Sequence, residues 1–83
     1  MKTTIDELLA FAAVVDSGSI TAAAEQLGLT ISATSRTLSR LEEKLKTTLL
    51  RRTTRRLELT EEGAAFLEHA RAILAMVDEA EEQ

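Results

Sequence analysis

Two short apolar-periodic segments lie about three residues apart with Gly28 between them, and this spacing constrains the fold of the chain more than any other feature. In the first segment Ile20, Ala23, Ala24 and Leu27 recur at i, i+3, i+4 and i+7, the period of an amphipathic helix. Gly18 ends the helix before it, Ser19 stands at its cap position, and Gly28 closes it. In the second segment Leu38, Leu41 and Leu45 define a buried face, Thr34 lies one turn earlier, and Thr30 is the cap. Small side chains at Ala23 and Ala24 let the two helices cross closely, while Leu27 and Leu29 pin the turn from inside. Helices joined by so tight a turn form a helix-turn-helix, the unit whose second helix enters the major groove of duplex DNA.

The flanking segments complete a small domain. Thr4 and Glu7 have capping-box spacing, followed by Leu8, Phe11, Ala12 and Val15 at helical intervals. With Ile5, Leu9 and Val14 beside it, this stripe on helix 1 (5–17) is wider than one buried face requires, which predicts a second contact. After residue 47 the period changes: Thr48–Thr53 and Arg56–Thr60 read as short strands, with Thr53–Arg55 at the tip. Thr60 caps a last helix that carries Glu61 and Glu62 in its first turn, where the helix dipole favours anions. Along it Phe66, Ala70, Ile73, Val77 and Ala80 form a heptad-like seam beside Leu67 and Leu74. The seam is read as a coiled-coil-like homodimer contact, with packing on helix 1 of the same chain as the alternative.

Proline and cysteine are absent, and Ala plus Leu supply 26 of 83 residues, so nothing interrupts the helices and thiolate or disulfide chemistry is excluded. The expected fold is mainly α: a winged helix-turn-helix (three-helix core plus two-stranded β wing) over residues 1–59, then a linker and dimerisation helix over 60–83. Acidic residues at 6 and 7 precede any apolar run, and no stretch approaches ~18 apolar residues, which predicts a soluble, cytoplasmic chain without a membrane segment.

The net charge of −4 conceals a strong polarity. Residues 36–56 carry eight basic side chains against Glu42 and Glu43, a net +6, whereas 1–35 carry −3 and 57–83 carry −7. A concentrated cationic segment points to a polyanion, because the local field and not the average steers association. Geometry then divides the roles. Ile31, Ser32, Ser35 and Arg36, in the first turns of the second helix, are candidates for reading base edges: Arg36 toward guanine, Ile31 toward a thymine methyl. Thr21, Thr30, Arg40, Arg51, Arg52 and Arg55 are candidates for phosphate contacts. Two readings stay open for Thr21 and Thr30, which also suit helix starts, and for Arg40, which also suits a solvated face. Strand alternation sends Arg51 and Arg52 to opposite sides, so one of them faces protein or solvent. Glu42 and Lys46 have the favourable i, i+4 order for an ion pair.

Catalysis finds no support: His69 lacks a cysteine or an i±4 metal partner, and the pairs Glu42-Glu43 and Glu61-Glu62 splay around a helix. Two Phe without Trp or Tyr provide no stacking platform for single strands. No enzyme, cofactor or metal is expected. The alternative to double-stranded DNA binding is a protein-interaction module that dimerises through its acidic helix.

Several spaced motifs agree with one family. The order Phe11, Val15 and Gly18-Ser19-Ile20-Thr21-Ala22-Ala23-Ala24-Glu25-Gln26-Leu27, then Ser35-Arg36, Leu38 and Leu41-Glu42-Glu43-Lys44-Leu45, then Leu49-Leu50-Arg51-Arg52-Thr53-Thr54-Arg55 and Leu59-Thr60-Glu61-Glu62-Gly63, resembles the N-terminal domain of LysR-type transcriptional regulators. The resemblance covers essentially the whole chain. It implies a bacterial regulator that binds imperfect inverted repeats as a dimer, often assembled into tetramers, with the linker helix making the dimer contact. It places recognition contacts on Ile31, Ser32, Ser35 and Arg36 and a wing contact on Arg52. It also implies a C-terminal domain, missing from this sequence, that senses a small-molecule effector. Two departures from the family pattern stand out: Ile31-Ser32 replaces Gln-Pro, and Thr34 stands where Val or Leu faces the core.

Overall fold

A computed structural model of the chain describes residues 2–52 and 57–82. The elements run α1 (Ile5–Ser17), α2 (Ile20–Leu27), α3 (Ile31–Leu45), β1 (Leu50–Arg52), β2 (Leu57–Leu59) and α4 (Glu61–Glu81). The expected order of three helices, a ribbon and a long last helix is therefore the observed one.

Local chemistry accounts for each boundary. At the start of α1 the Glu7 amide donates to Thr4 Oγ1 (3.2 Å) and the Thr4 amide donates to Glu7 Oε1 (2.9 Å), a complete capping box. Gly18 (φ 75°) and Gly28 (φ 69°) end α1 and α2 in the left-handed region. At the end of α3 Lys46 adopts the same conformation (φ 53°) although it is not glycine, at a cost of roughly 1–2 kcal/mol. The Lys46 and Thr47 amides donate to the Glu43 and Glu42 carbonyls (3.2 and 3.1 Å), which closes the helix. Because the backbone turns there, the expected Glu42–Lys46 pair does not form. Glu42 Oε2 instead accepts from the Leu49 and Leu50 amides (2.7 and 3.1 Å).

The core forms where α1, α2 and α3 meet. Phe11, Val14 and Leu41 are wholly buried, with Leu8, Leu38, Ala23 and Ala24 around them. Thr34 also reaches the core and is 0% exposed, but its hydroxyl donates to the Thr30 carbonyl (3.0 Å), so no polar group is left unpaired there. From α4 the Phe66 ring meets Phe11 in a tilted pair with centroids 5.8 Å apart.

At the base of the ribbon both strands are shorter than expected, for a definite reason. Leu49 and Thr60 form only half of the next pair, because the Leu49 amide is committed to Glu42. The Thr60 amide donates to the Leu49 carbonyl (3.0 Å), while its hydroxyl donates to the Thr48 carbonyl (2.7 Å) and accepts from the Gly63 amide (2.9 Å) as the cap of α4. In the antiparallel ribbon Leu50 lies opposite Leu59, Arg51 opposite Glu58 and Arg52 opposite Leu57. The expected tip, Thr53–Arg55, lies outside the described residues, as does Arg56. Gly63 is required by close approach: a Cβ there would collide with the Leu49 carbonyl oxygen and lie 2.9 Å from Leu59 Cδ1.

α4 belongs to the core through Leu67 and Ala70, with Leu74 packed against it, and its side chains from Asp78 on are exposed. A helix of 21 residues is ~31 Å long, and the molecule accordingly measures 44 × 26 × 19 Å. Among the described residues no helix is long and apolar enough to cross a membrane.

Glu7 ties α1 to α3 as well as capping α1. Its side chain is 4% exposed and accepts from Lys44 Nζ (2.7 Å), which also donates to the Lys2 carbonyl (2.8 Å). Burial pushes the Glu7 pKa up, but the Lys44 ammonium and the Thr4 amide together outweigh it and hold the carboxyl below its ordinary 4.5. The folded chain thus binds fewer protons here than the unfolded one. The resulting stability is fully present above 4.5 and is lost as pH falls through the lowered folded value. Glu7→Gln is expected to be less stable by about 2 kcal/mol near neutrality. In urea unfolding at decreasing pH the two stability curves should converge on the acid side; parallel curves would contradict this role.

Candidate nucleic-acid interface

The inward face of α3 sets the outward one. With Thr34, Leu38 and Leu41 buried, the 3.6-residue period turns Ser32, Arg36, Ser39 and Arg40 to the surface. Ile31 is 53% exposed despite being apolar. Ile31, Ser32, Ser35, Arg36 and Arg40 line one shallow open groove that ends at Glu43. The four residues expected to read bases are therefore neighbours. Arg36 and Arg40 are exposed, and neither forms an ion pair among the described residues.

The cap residues separate. Thr30 Oγ1 accepts from the Ala33 amide (3.0 Å), so Thr30 does start α3, while its side chain stays at the surface. Ser19 caps α2 by accepting from the Ala22 amide (3.1 Å); Thr21 is exposed on the first turn and has no capping duty.

On the wing, alternation places Arg52 on the side of Leu50 and Leu57, which pack on the core, and Arg51 with Glu58 on the other side. Arg52 lines a small hollow with Leu38 and Glu42 of α3 and is exposed. Of the two wing arginines, Arg52 is thus the one beside α3. Arg55 lies outside the described residues. Lys44, part of the cationic segment, is committed to Glu7 and adds no open positive charge.

The seam of α4 divides. Phe66 leans on Phe11 of its own chain, packing on α1 as in the alternative reading, and Ala70 is 0% exposed. Ala70 has no surface left for a partner, which corrects its place in the expected dimer contact. The other half stays open: Ile73 is 41% and Met76 69% exposed, Val77 is half-buried and Ala80 exposed. His69 is exposed, as expected of a solvated face.

One interaction invisible to local pattern holds α4 to α1. Arg71 Nη2 and Nη1 donate to Asp16 Oδ1 and Oδ2 (2.7 and 3.3 Å). The hydrogen bonds from the guanidinium hold the Asp16 carboxyl below its ordinary value, against the opposing effect of burial. Both side chains are more than half exposed (51% and 57%), so screening leaves the pair weak in energy. Its 55-residue separation explains why local sequence reading misses it.

A helix-turn-helix with an outward, cationic second helix and a ribbon against that helix is a winged helix-turn-helix. Residues 5–64 match the family described as bacterial regulatory helix-turn-helix protein, lysR family. The chain belongs to that family. It is 54% identical over 81 residues to the HTH-type transcriptional regulator CrgA of Neisseria meningitidis serogroup C (strain 8013), covering 98% of this chain and 27% of CrgA. The chain thus spans about a quarter of the length of that curated relative. Among solved structures it resembles the BenM_DBD/catB site 1 DNA complex (TM-score 0.92, 35% identity, 96% of this chain and 90% of that one). It also resembles the CbnR_DBD–DNA complex (TM-score 0.90, 36% identity, 96% and 92%).

Proposed function

We propose that the chain binds double-stranded DNA sequence-specifically as the DNA-reading part of a bacterial transcription regulator, with α3 in the major groove and the wing on the backbone or minor groove. The observation that carries this reading is the outward face of α3, where Ile31, Ser32, Ser35 and Arg36 adjoin in a groove and, among the described residues, no carboxylate is paired to Arg36 or Arg40. Likeness to two DNA-bound relatives supports it.

Arg36 suits bidentate donation to guanine O6 and N7, and Ile31 suits contact with a thymine methyl. Ser32 and Ser35 can donate to or accept from a base edge. Thr21, Thr30, Arg40, Arg51 and Arg52 suit phosphates, which set register without reading sequence; Arg55 joins them on sequence grounds alone. The acidic charge of residues 57–83 lies mostly on α4, whose side chains from Asp78 on are exposed.

The second half of α4 is the proposed homodimer contact, through Ile73, Met76, Val77 and Ala80. Large apolar side chains clustered on an exposed helix mark an interaction surface. A two-fold pair of recognition helices would read an inverted repeat, its half-sites about 34–36 Å apart. In this reading residues 1–59 read DNA and 60–83 link and dimerise. Tetramer assembly, a cytoplasmic location and response to a small-molecule effector through a C-terminal domain belong to the proposal for the whole regulator.

Binding to mixed-sequence duplex should fall steeply with salt as counterions are released; absence of binding at low salt would favour the protein-interaction module. Arg36→Ala is expected to cost about 1–3 kcal/mol and to relax preference at one base pair, whereas Arg52→Ala weakens all sequences alike and lowers the salt slope by about one unit. Equal losses on specific and random duplexes for both variants would reverse these roles. In sedimentation, Ile73→Glu should shift the chain toward monomer, and an unchanged mass would count against the α4 contact.

A further inference from the structure

We infer that Glu42 is a positioning residue that holds the wing against the recognition helix and, through it, sets the contact of Arg52 with the duplex. The inference rests on the DNA-binding reading and extends it to a residue whose charge alone would argue against a role beside a polyanion.

Glu42 projects from α3 one turn beyond Leu38, and a single oxygen, Oε2, accepts from two consecutive amides, Leu49 (2.7 Å) and Leu50 (3.1 Å). Leu50 is the first residue of β1, and Arg52 follows it on the same side of the strand. Arg52, Glu42, Leu38 and Leu50 line one small hollow. From the other side the Leu49 carbonyl accepts the Thr60 amide (3.0 Å) at the start of α4. The peptide that enters the wing is thus held between α3 and α4: Leu49 packs with Leu38 and Leu41, and among the described residues the side-chain hydrogen bonds from α3 to this peptide come from one carboxylate. Hydrogen bonds to an ionised acceptor are the stronger kind and are directional, so they fix orientation as well as distance. Spending its oxygen on these amides also turns the negative charge inward, and Glu42 is only half exposed.

Two variants separate position from charge. Glu42→Asp keeps the charge but shortens the reach by one methylene; Glu42→Gln removes the charge but keeps an oxygen at full reach. Duplex affinity of the 83-residue chain is measured by salt titration for each, alone and combined with Arg52→Ala. The expected result is a roughly tenfold loss for Glu42→Asp with a salt slope lower by about one unit, and near-parental or tighter binding for Glu42→Gln. Combined with Arg52→Ala, Glu42→Asp should add less than about a threefold further loss, because the two act through one contact. Amide exchange at Leu49 and Leu50 should quicken at least about tenfold in Glu42→Asp, while Leu38 and Leu41 keep their protection. Losses that multiply in the double variant, a Glu42→Gln chain as weak as Glu42→Asp, or unchanged exchange at Leu49 and Leu50 would each overturn the inference. Should Glu42→Asp unfold, the Glu42→Gln arm with Arg52→Ala still decides between charge and reach. A parental chain that binds no duplex would instead overturn the DNA reading itself, and the exchange data would still report whether Glu42 holds the wing.

Discussion

The rotational setting of α3 governs what this molecule can do. Leu38 and Leu41 press onto Phe11 and its neighbours, and burial of each such side chain is worth roughly 1.5–3 kcal/mol. Turning the helix by one residue, about 100°, would withdraw them and drive Arg40 in one sense, or Glu42 in the other, toward an apolar interior, where an unpaired charge is prohibitive. Hydrophobic packing on one side of α3 therefore orders a cationic, hydroxyl-rich face on the other. The buried Thr34 fits this setting because its hydroxyl finds a carbonyl on its own helix.

A second constraint governs the wing. A two-stranded ribbon is marginal alone, and this one is anchored at its base. Thr60 gathers the Thr48 carbonyl, the Leu49 carbonyl and the Gly63 amide into one buried junction, and Glu42 holds the amides on the opposite side. The tight passage at Gly63 lets α4 begin against that junction. Ribbon, recognition helix and linker helix thereby share one anchoring point, so the direction of each is tied to the others.

Much of this was legible in the residues because the governing physics is local. Caps at Thr4, Ser19, Thr30 and Thr60, glycines at the ends of α1 and α2, and apolar periods in α1 to α3 each act within a turn or two. The outward row from Ile31 to Arg40 followed from the same periodicity. What escaped was set by packing. Lys46 closes α3 in a conformation for which glycine is the usual signal, and the turn it creates redirects Glu42 from an i+4 lysine to the amides of the wing. Lys44 looked like open positive charge until folding brought Glu7 to it across 37 residues. The seam of α4 was legible only in part because an apolar row carries no mark of whose surface it will meet: Phe66 meets α1 of its own chain and Ala70 is buried, while Ile73 and Met76 remain open.

Fold and family leave one claim at the centre: the face of α3 opposite Leu38 and Leu41 is where duplex meets protein. Amide chemical-shift mapping of the 83-residue chain during addition of a short duplex at low salt tests it directly. Shifts are expected to concentrate from Thr30 to Arg40 and at Arg51 and Arg52, with Asp78 to Glu82 unmoved. Shifts confined to α4, or spread evenly over buried and exposed amides alike, would contradict it.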